Sequence, residues 1–171
     1  MDKTLTAALG AAALLTALTA CSTSTPNAST PAGNHGAAAS KPLTADSALA
    51  QISTKVTSAK LSGMVMEEND PNHLLGRPNQ YISKVTFTDS RIKAADVVGA
   101  EEGAVERGGA VEVFADPADA QARAKYIGSV TKSMPTLAEY DYVHGNILVR
   151  VSRYLTPAQA AEYKAAADGL G

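Results

Sequence analysis

Residues 22–42 contain no leucine, isoleucine, valine or aromatic side chain. This lack of large apolar side chains decides which part of the chain can fold. The stretch consists mainly of alanine, serine, threonine, proline and glycine. Such a composition cannot offset the entropy that is lost on ordering the chain, so it predicts a flexible tether. Residues 43–171 hold enough apolar side chains for one modest core and are predicted to form a single domain.

An uncharged run rich in leucine, alanine and threonine, residues 4–20, precedes the tether. It has the length of the apolar part of a signal peptide and is too weakly apolar for a spanning helix. The run ends in Leu18-Thr19-Ala20-Cys21, which resembles the lipobox of bacterial lipoproteins. The resemblance implies a signal peptide over residues 1–20 and a lipidated Cys21 that begins the tether, 21–42. The alternative is a cysteine that merely packs at the end of a helix.

The charge and the cysteine content exclude several classes of protein. Fifteen basic against 17 acidic residues give a net charge of −2, which argues against a nucleic-acid partner. Cys21 is the single cysteine, so the chain forms no internal disulfide and no cysteine-rich zinc site. The expected partners are the membrane, through the lipid, and an envelope protein or wall component; no cofactor is implied.

Three helices are predicted from their capping residues and apolar spacing. The first starts at Thr44 and has apolar residues as far as Ala59, and the second starts at Asp116-Pro117 and ends at Pro135. The third starts at Thr156-Pro157, with Gln159 completing a capping box.

Four strands are predicted over residues 81–88, 110–115, 140–143 and 147–152, and a short extended run over 64–66. Alternation places Tyr81, Ser83, Val85 and Phe87 on one face of the first strand. The last two strands are predicted to form a hairpin about Gly145-Asn146, and residues 89–109 a long loop with a helical turn near Ile92. The fold class is therefore α+β, a two-layer arrangement of about four antiparallel strands with three helices mainly on one face.

The densest polar cluster is residues 67–73. Its oxygen donors suggest a calcium loop, but His73 and Asn79 occupy the places where such a loop starting at Glu68 needs Gly and Glu. The preferred interpretation is a turn in which Asp70 accepts hydrogen bonds from the backbone and Pro71 fixes φ.

A hydrolytic or metal-dependent site is the alternative to a non-catalytic binding module. It would use Asp70, His73 and Asp141, with His144 as the second histidine of the predicted domain. The sequence has no Gly-x-Ser-x-Gly nucleophile motif, no phosphate-binding P-loop and no dinucleotide motif.

Two further groups of residues have both a structural and a binding interpretation. Arg77 either pairs with Asp70 or a carboxylate at 101–102, or meets an anionic partner. Tyr140 and Tyr142 either enter the core, which is preferred, or form a recognition surface. The candidate binding residues, all in or beside the turn, are Asp70, Asn72, His73, Arg77 and Tyr81.

Several motifs between residues 65 and 165 resemble a family of small lipoproteins and secreted proteins of Gram-positive bacteria and some of their phages. They are Glu68-Asn69-Asp70-Pro71-Asn72-x-Leu74-Leu75-Gly76-Arg77-Pro78, Tyr81-x-Ser83-Lys84-Val85, Val111-Glu112-Val113-Phe114-x-Asp116 with Arg123 and Tyr126-Ile127, Leu148-x-Arg150-Val151-Ser152, and Leu155-Thr156-Pro157-x-Gln159-Ala160. The family has no assigned activity. The resemblance therefore implies an extracytoplasmic lipoprotein at the cell membrane and nothing catalytic.

Overall fold

A computed structural model describes residues 42–171, and these form one antiparallel sheet of five strands with three helices. The strands are β1 (Ala59–Met64), β2 (Tyr81–Asp89), β3 (Gly108–Phe114), β4 (Glu139–His144) and β5 (Ile147–Ser152). Their order across the sheet is β1-β2-β3-β5-β4. The predicted α+β class is confirmed, with five strands where about four were expected. The predicted signal peptide, Cys21 and nearly all of the tether lie outside the described residues.

The helices begin where their capping residues predict. They are α1 (Ala45–Lys55), α2 (Pro117–Ser133) and α3 (Pro157–Ala167). The Asp116 side chain accepts a hydrogen bond from the Ala118 backbone, 2.7 Å, at the start of α2. At α3, Thr156 and Gln159 exchange the two hydrogen bonds of a capping box. None of the described helices is long and apolar enough to span a bilayer.

The helices lie on both faces of the sheet. Helices α1 and α3 pack on the face that carries Val85, Phe87, Val111, Val149 and Val151. The opposite face carries Phe114 and Leu148, and α2 packs against it through Ala120 and Ile127. Two of the three helices thus share a face, as expected, while α2 adds a third layer. We call the side that α2 partly covers the α2 face.

A β-bulge in β2 overturns the predicted placement of Tyr81. The register shifts between the pairs Tyr81–Phe114 and Ser83–Val113, so the regular alternation of the strand is interrupted once. Ser83 stays on the α1 side, where its hydroxyl accepts a hydrogen bond from the Ala45 backbone. Tyr81 instead lies on the α2 face, in the cluster with Phe114. The prediction that Tyr81 shares a face with Val85 and Phe87 is therefore wrong.

The first 25 residues of the domain differ from the prediction, because helix α1 is shorter than predicted and strand β1 follows it. Helix α1 ends at Lys55 and does not reach Ala59, which is the first residue of β1. The strand ends at Met64, where the short extended run was predicted to begin. A Cβ at Gly63 would lie 3.0 Å from the Thr86 hydroxyl, so this glycine lets β1 approach β2 closely.

The loop and the hairpin are largely as predicted. Between β2 and β3 a turn closes near Ile92, as predicted, where the Ile92 backbone N–H donates to the Asp89 carbonyl at 3.1 Å. Two 3₁₀ turns follow it, Ala94–Val97 and Val105–Arg107. The β4–β5 hairpin turns at Gly145-Asn146, and Gly145 has a positive φ of 54°. Tyr140 and Tyr142 pack against the core below α3, which confirms their core interpretation.

Candidate functional site

Asp70 organises the turn that the sequence singled out. It is 1% exposed and accepts hydrogen bonds from the backbone of Asn72, Leu74 and Leu75, at 3.2, 2.8 and 3.0 Å. The Tyr81 hydroxyl donates to the same carboxylate at 2.7 Å. Burial alone would raise the pKa of Asp70, but these four donors lower it to about 2. The carboxylate therefore holds the loop in place, as the turn interpretation predicts. Neither of its oxygens points to the solvent, where it could take part in a reaction.

The other predicted binding residues lie in different places around this turn. His73 and Arg77 are exposed and line a shallow cavity of about 400 Å³ beside Asp70. Within residues 42–171, the Arg77 side chain forms no ion pair, so neither of its predicted carboxylate partners is used. Asn72 lies on the other side of the turn and lines a different cavity, on the α2 face. Tyr81 is fully buried.

The residues of the catalytic alternative are not brought together. Asp70 bonds to the first residue of β2, while Asp141 lies in β4. Strands β3 and β5 lie between those two strands, which corresponds to about 14 Å at ~4.8 Å per strand. In the described part of the chain, no three histidine, cysteine, aspartate or glutamate side chains are grouped so as to hold a metal ion.

Two cavities adjoin on the α2 face of the described chain. One has a volume of about 520 Å³ and the other about 580 Å³, and both are lined by Pro71, Lys84, Gly103 and Ala104. We call the two together the α2-face groove. Its first part runs along β1 and the loop at 101–104, and its second part is walled by α2 and includes Arg123, Glu139 and Arg150. The turn at Asp70 supplies part of the wall through Pro71, Asn72 and Leu74.

A buried glutamate lies under this groove and holds three cations. Glu112 on β3 is 0% exposed, and its Oε1 lies 3.3 Å from Lys84 Nζ and 3.2 Å from an Arg150 Nη. The Arg123 Nε lies 3.5 Å from the other oxygen, Oε2. Arg150 also forms a two-pronged ion pair with Glu139, at 2.7 and 2.9 Å. Burial lowers the pKa of Lys84, which Glu112 opposes.

Arg123 is the least satisfied member of this cluster. Its side chain is 11% exposed, yet its Nε makes no hydrogen bond, and neither does Glu112 Oε2. The Tyr126 ring lies 5.7 Å from the Arg123 Cζ. Of the five donors of this guanidinium, only the one on Nε is buried without a hydrogen bond; the terminal Nη groups are accessible and form no hydrogen bond with the described residues. Arg123 therefore offers donors to a molecule in the groove.

Asp141 shows a strongly perturbed acidity at the edge of the same cluster. Burial, followed by the negative charge of Glu139, raises its pKa to about 8. Its Oδ1 is buried and makes no hydrogen bond within the described chain. The side chain therefore carries less negative charge near pH 7 than an exposed aspartate does.

We expect the free energy of unfolding of Asp141→Asn, relative to that of the wild type, to increase as the pH rises from about 4 to about 8. In this range the unfolded chain loses the Asp141 proton while the folded chain keeps it, so the wild type loses stability with increasing pH. The variant has no such proton. Urea unfolding of both proteins at four pH values in this range measures the difference, and a difference independent of pH would contradict the assignment.

No role for this charge cluster was predicted from the sequence. None of its four residues was a candidate site residue, although all four occur in the motifs that resemble the lipoprotein family: Lys84, Glu112, Arg123 and Arg150. A signal was present, because Glu112 and Arg150 each stand between valines in strands that are otherwise apolar. A charge in the middle of a buried strand implies a partner of opposite charge on the neighbouring strand.

Comparison with known proteins identifies no relative of this chain: no protein-family model, no curated protein and no solved structure matches it. The resemblance to Gram-positive lipoproteins therefore stays a prediction from the motifs.

Proposed function

We propose that the protein is a non-catalytic binding module of the bacterial cell envelope, anchored to the membrane by a lipid on Cys21. In this proposal the tether, residues 21–42, links the anchor to the domain, and a ligand binds in the α2-face groove. The lipobox-like sequence supports the anchor. The groove supports binding, because it is large, open and lined by fixed charged side chains.

One observation carries the binding part of the proposal. Arg123 lines the groove, and its two terminal Nη groups form no hydrogen bond within residues 42–171, while its buried Nε faces Glu112 Oε2 at 3.5 Å. Guanidinium N–H groups that are accessible and unpaired beside a cavity are available to an oxyanion. A ligand that accepts hydrogen bonds from Arg123 would use these donors. No comparable observation favours a catalytic site at Asp70, His73 and Asp141.

We expect Cys21→Ser to remove the protein from the membrane fraction, because two or three acyl chains account for the whole of the anchoring. Ser24→Ala, a small change in the tether, serves as the matched control and should stay membrane-bound. The measurement is fractionation of cells followed by immunoblotting, with labelled palmitate to detect acylation. Retention of Cys21→Ser in the membrane at the wild-type level would contradict the anchor.

Binding in the groove is tested on the full chain released from membranes in a non-ionic detergent. Native mass spectrometry should detect a small-molecule adduct on the wild type, and Arg123→Gln should lose it. Arg153→Gln is the matched control, because Arg153 also stacks on a neighbouring tyrosine, Tyr154, but is exposed outside the groove. Absence of any adduct on the wild type, or an adduct that survives Arg123→Gln, would count against the groove as the site.

A further inference from the structure

We propose that the α2-face groove selects a small organic acid, whose single carboxylate binds Arg123 and whose apolar body lies along α2. This inference rests on the proposed function and specifies its ligand. Three features of the groove support it: the donors that Arg123 leaves unused, the balance of charge around it, and the apolar residues next to it.

The donors of Arg123 fit an oxyanion. The Nε faces Glu112 Oε2 at 3.5 Å, so the two terminal Nη groups are the donors that no described residue uses. A carboxylate has two oxygens at the spacing of two guanidinium N–H groups and binds them side by side. A neutral amide of the same shape offers one acceptor oxygen and no charge.

The charge around Arg123 favours a monoanion over a dianion. Lys84, Arg123 and Arg150 supply three positive charges, and Glu112 and Glu139 supply two negative ones. The raised pKa of Asp141, about 8, reduces the negative charge of this side chain near pH 7. Glu106 lines the same cavity, so three cations face three carboxylates before a ligand binds, and each further negative charge on a ligand meets repulsion. The second charge of a phosphate would face Glu112 and Glu139, and Glu106 at the rim adds to this repulsion.

The apolar part of the groove lies next to Arg123 on the same helix face. Ile127 and Val130 follow Arg123 by four and seven residues, so all three face the groove. Leu74 from the turn and Leu137 after α2 line the same cavity. A ligand whose carboxylate is held at Arg123 thus places its next carbon atoms against these side chains. The site suits an amphipathic acid better than a bare inorganic anion.

The test is isothermal titration of the full chain in phosphatidylcholine nanodiscs with benzoate, benzamide and phenyl phosphate. The three probes share a ring and differ in the group that meets Arg123. We expect benzoate to bind at least about tenfold more tightly than benzamide, since hydrogen bonds to a charged group are worth a factor of that size or more. Phenyl phosphate should bind more weakly than benzoate.

Variants test whether Arg123 causes the preference. Arg123→Gln should abolish the difference between benzoate and benzamide, whereas Arg153→Gln should leave it unchanged. Glu106→Gln removes a negative charge from the rim without touching the guanidinium and should tighten benzoate binding. The test stays decisive even where Arg123→Gln fails to fold, because the Glu106 variant and the comparison of the three probes on the wild type do not depend on that variant.

Each outcome has a distinct meaning. Equal binding of benzoate and benzamide, tighter binding of phenyl phosphate, or no binding of benzoate overturns the carboxylate assignment. The proposed function is tested separately by the mass of the natural adduct. A natural adduct that depends on Arg123 but carries no carboxylate would overturn this inference and leave the proposed function standing.

Discussion

Glu112→Gln is expected to lower the free energy of unfolding by about 3–5 kcal/mol, the range for a buried ion pair that loses one partner. Glu112 is 0% exposed and is the carboxylate nearest to both Lys84 and Arg123. With a glutamine there, Arg150 keeps Glu139, but Lys84 and Arg123 have no carboxylate within ion-pair distance in the described chain. The uncompensated charges then oppose folding.

Glu162→Gln is the matched control for this prediction. Glu162 also pairs with an arginine, Arg91, at 2.6 Å, but it is 52% exposed, and exposed pairs contribute at most about 1 kcal/mol. Urea unfolding followed by circular dichroism measures both variants. Adding Lys84→Met to Glu112→Gln should recover part of the loss, because it removes one unpaired cation. A loss for Glu112→Gln no larger than that of the control would contradict the central role of this carboxylate.

Gly109→Ala is expected to destabilise the fold by about 3 kcal/mol, which lowers the melting temperature by roughly 10 °C. A Cβ at Gly109 would lie 2.1 Å from the Arg150 carbonyl oxygen and 2.4 Å from the Phe87 ring. The carbonyl belongs to β5, which pairs with β3 at this point, and the ring is stacked on Tyr163 with centroids 5.2 Å apart. Neither neighbour can move without disturbing the sheet or the core.

Gly128→Ala provides the control for the glycine substitution. Gly128 lies in α2 and nothing lies within 4 Å of the position of an added Cβ. Alanine there should stabilise the protein by up to about 1 kcal/mol, because glycine is a poor helix former. Thermal unfolding of both variants gives the comparison. A Gly109→Ala protein as stable as the wild type would show that β3 and β5 are not packed as closely as described.

The local parts of the fold were predictable from the sequence because single residues specify them. Asp116-Pro117 and Thr156-Pro157 start helices through hydrogen bonds to their own next turn. Gly145 adopts the positive φ that a tight hairpin turn needs. The turn at Asp70 also follows from local bonds, although the contribution of the Tyr81 hydroxyl depends on the tertiary fold.

The parts that were not predicted depend on contacts between distant residues. The bulge that moves Tyr81 to the α2 face is a property of the pairing of β2 with β3, which alternation within β2 does not record. The α2-face groove is likewise assembled from β1, β2, α2 and the loop before β3. The cations around Glu112 come from β2, α2 and β5, so no spacing motif in the sequence reveals the cluster.

The measurement that tests the central claim most directly is the NMR signal of the Arg123 Nη–H groups, the donors assigned to the ligand carboxylate, during a titration with benzoate. The full chain is used in phosphatidylcholine nanodiscs, and the signal is assigned by its disappearance in Arg123→Gln. We expect the Arg123 signal to shift and saturate while the Arg153 signal stays in place. An unmoved Arg123 signal, with shifts confined to residues outside the α2-face groove, would contradict it.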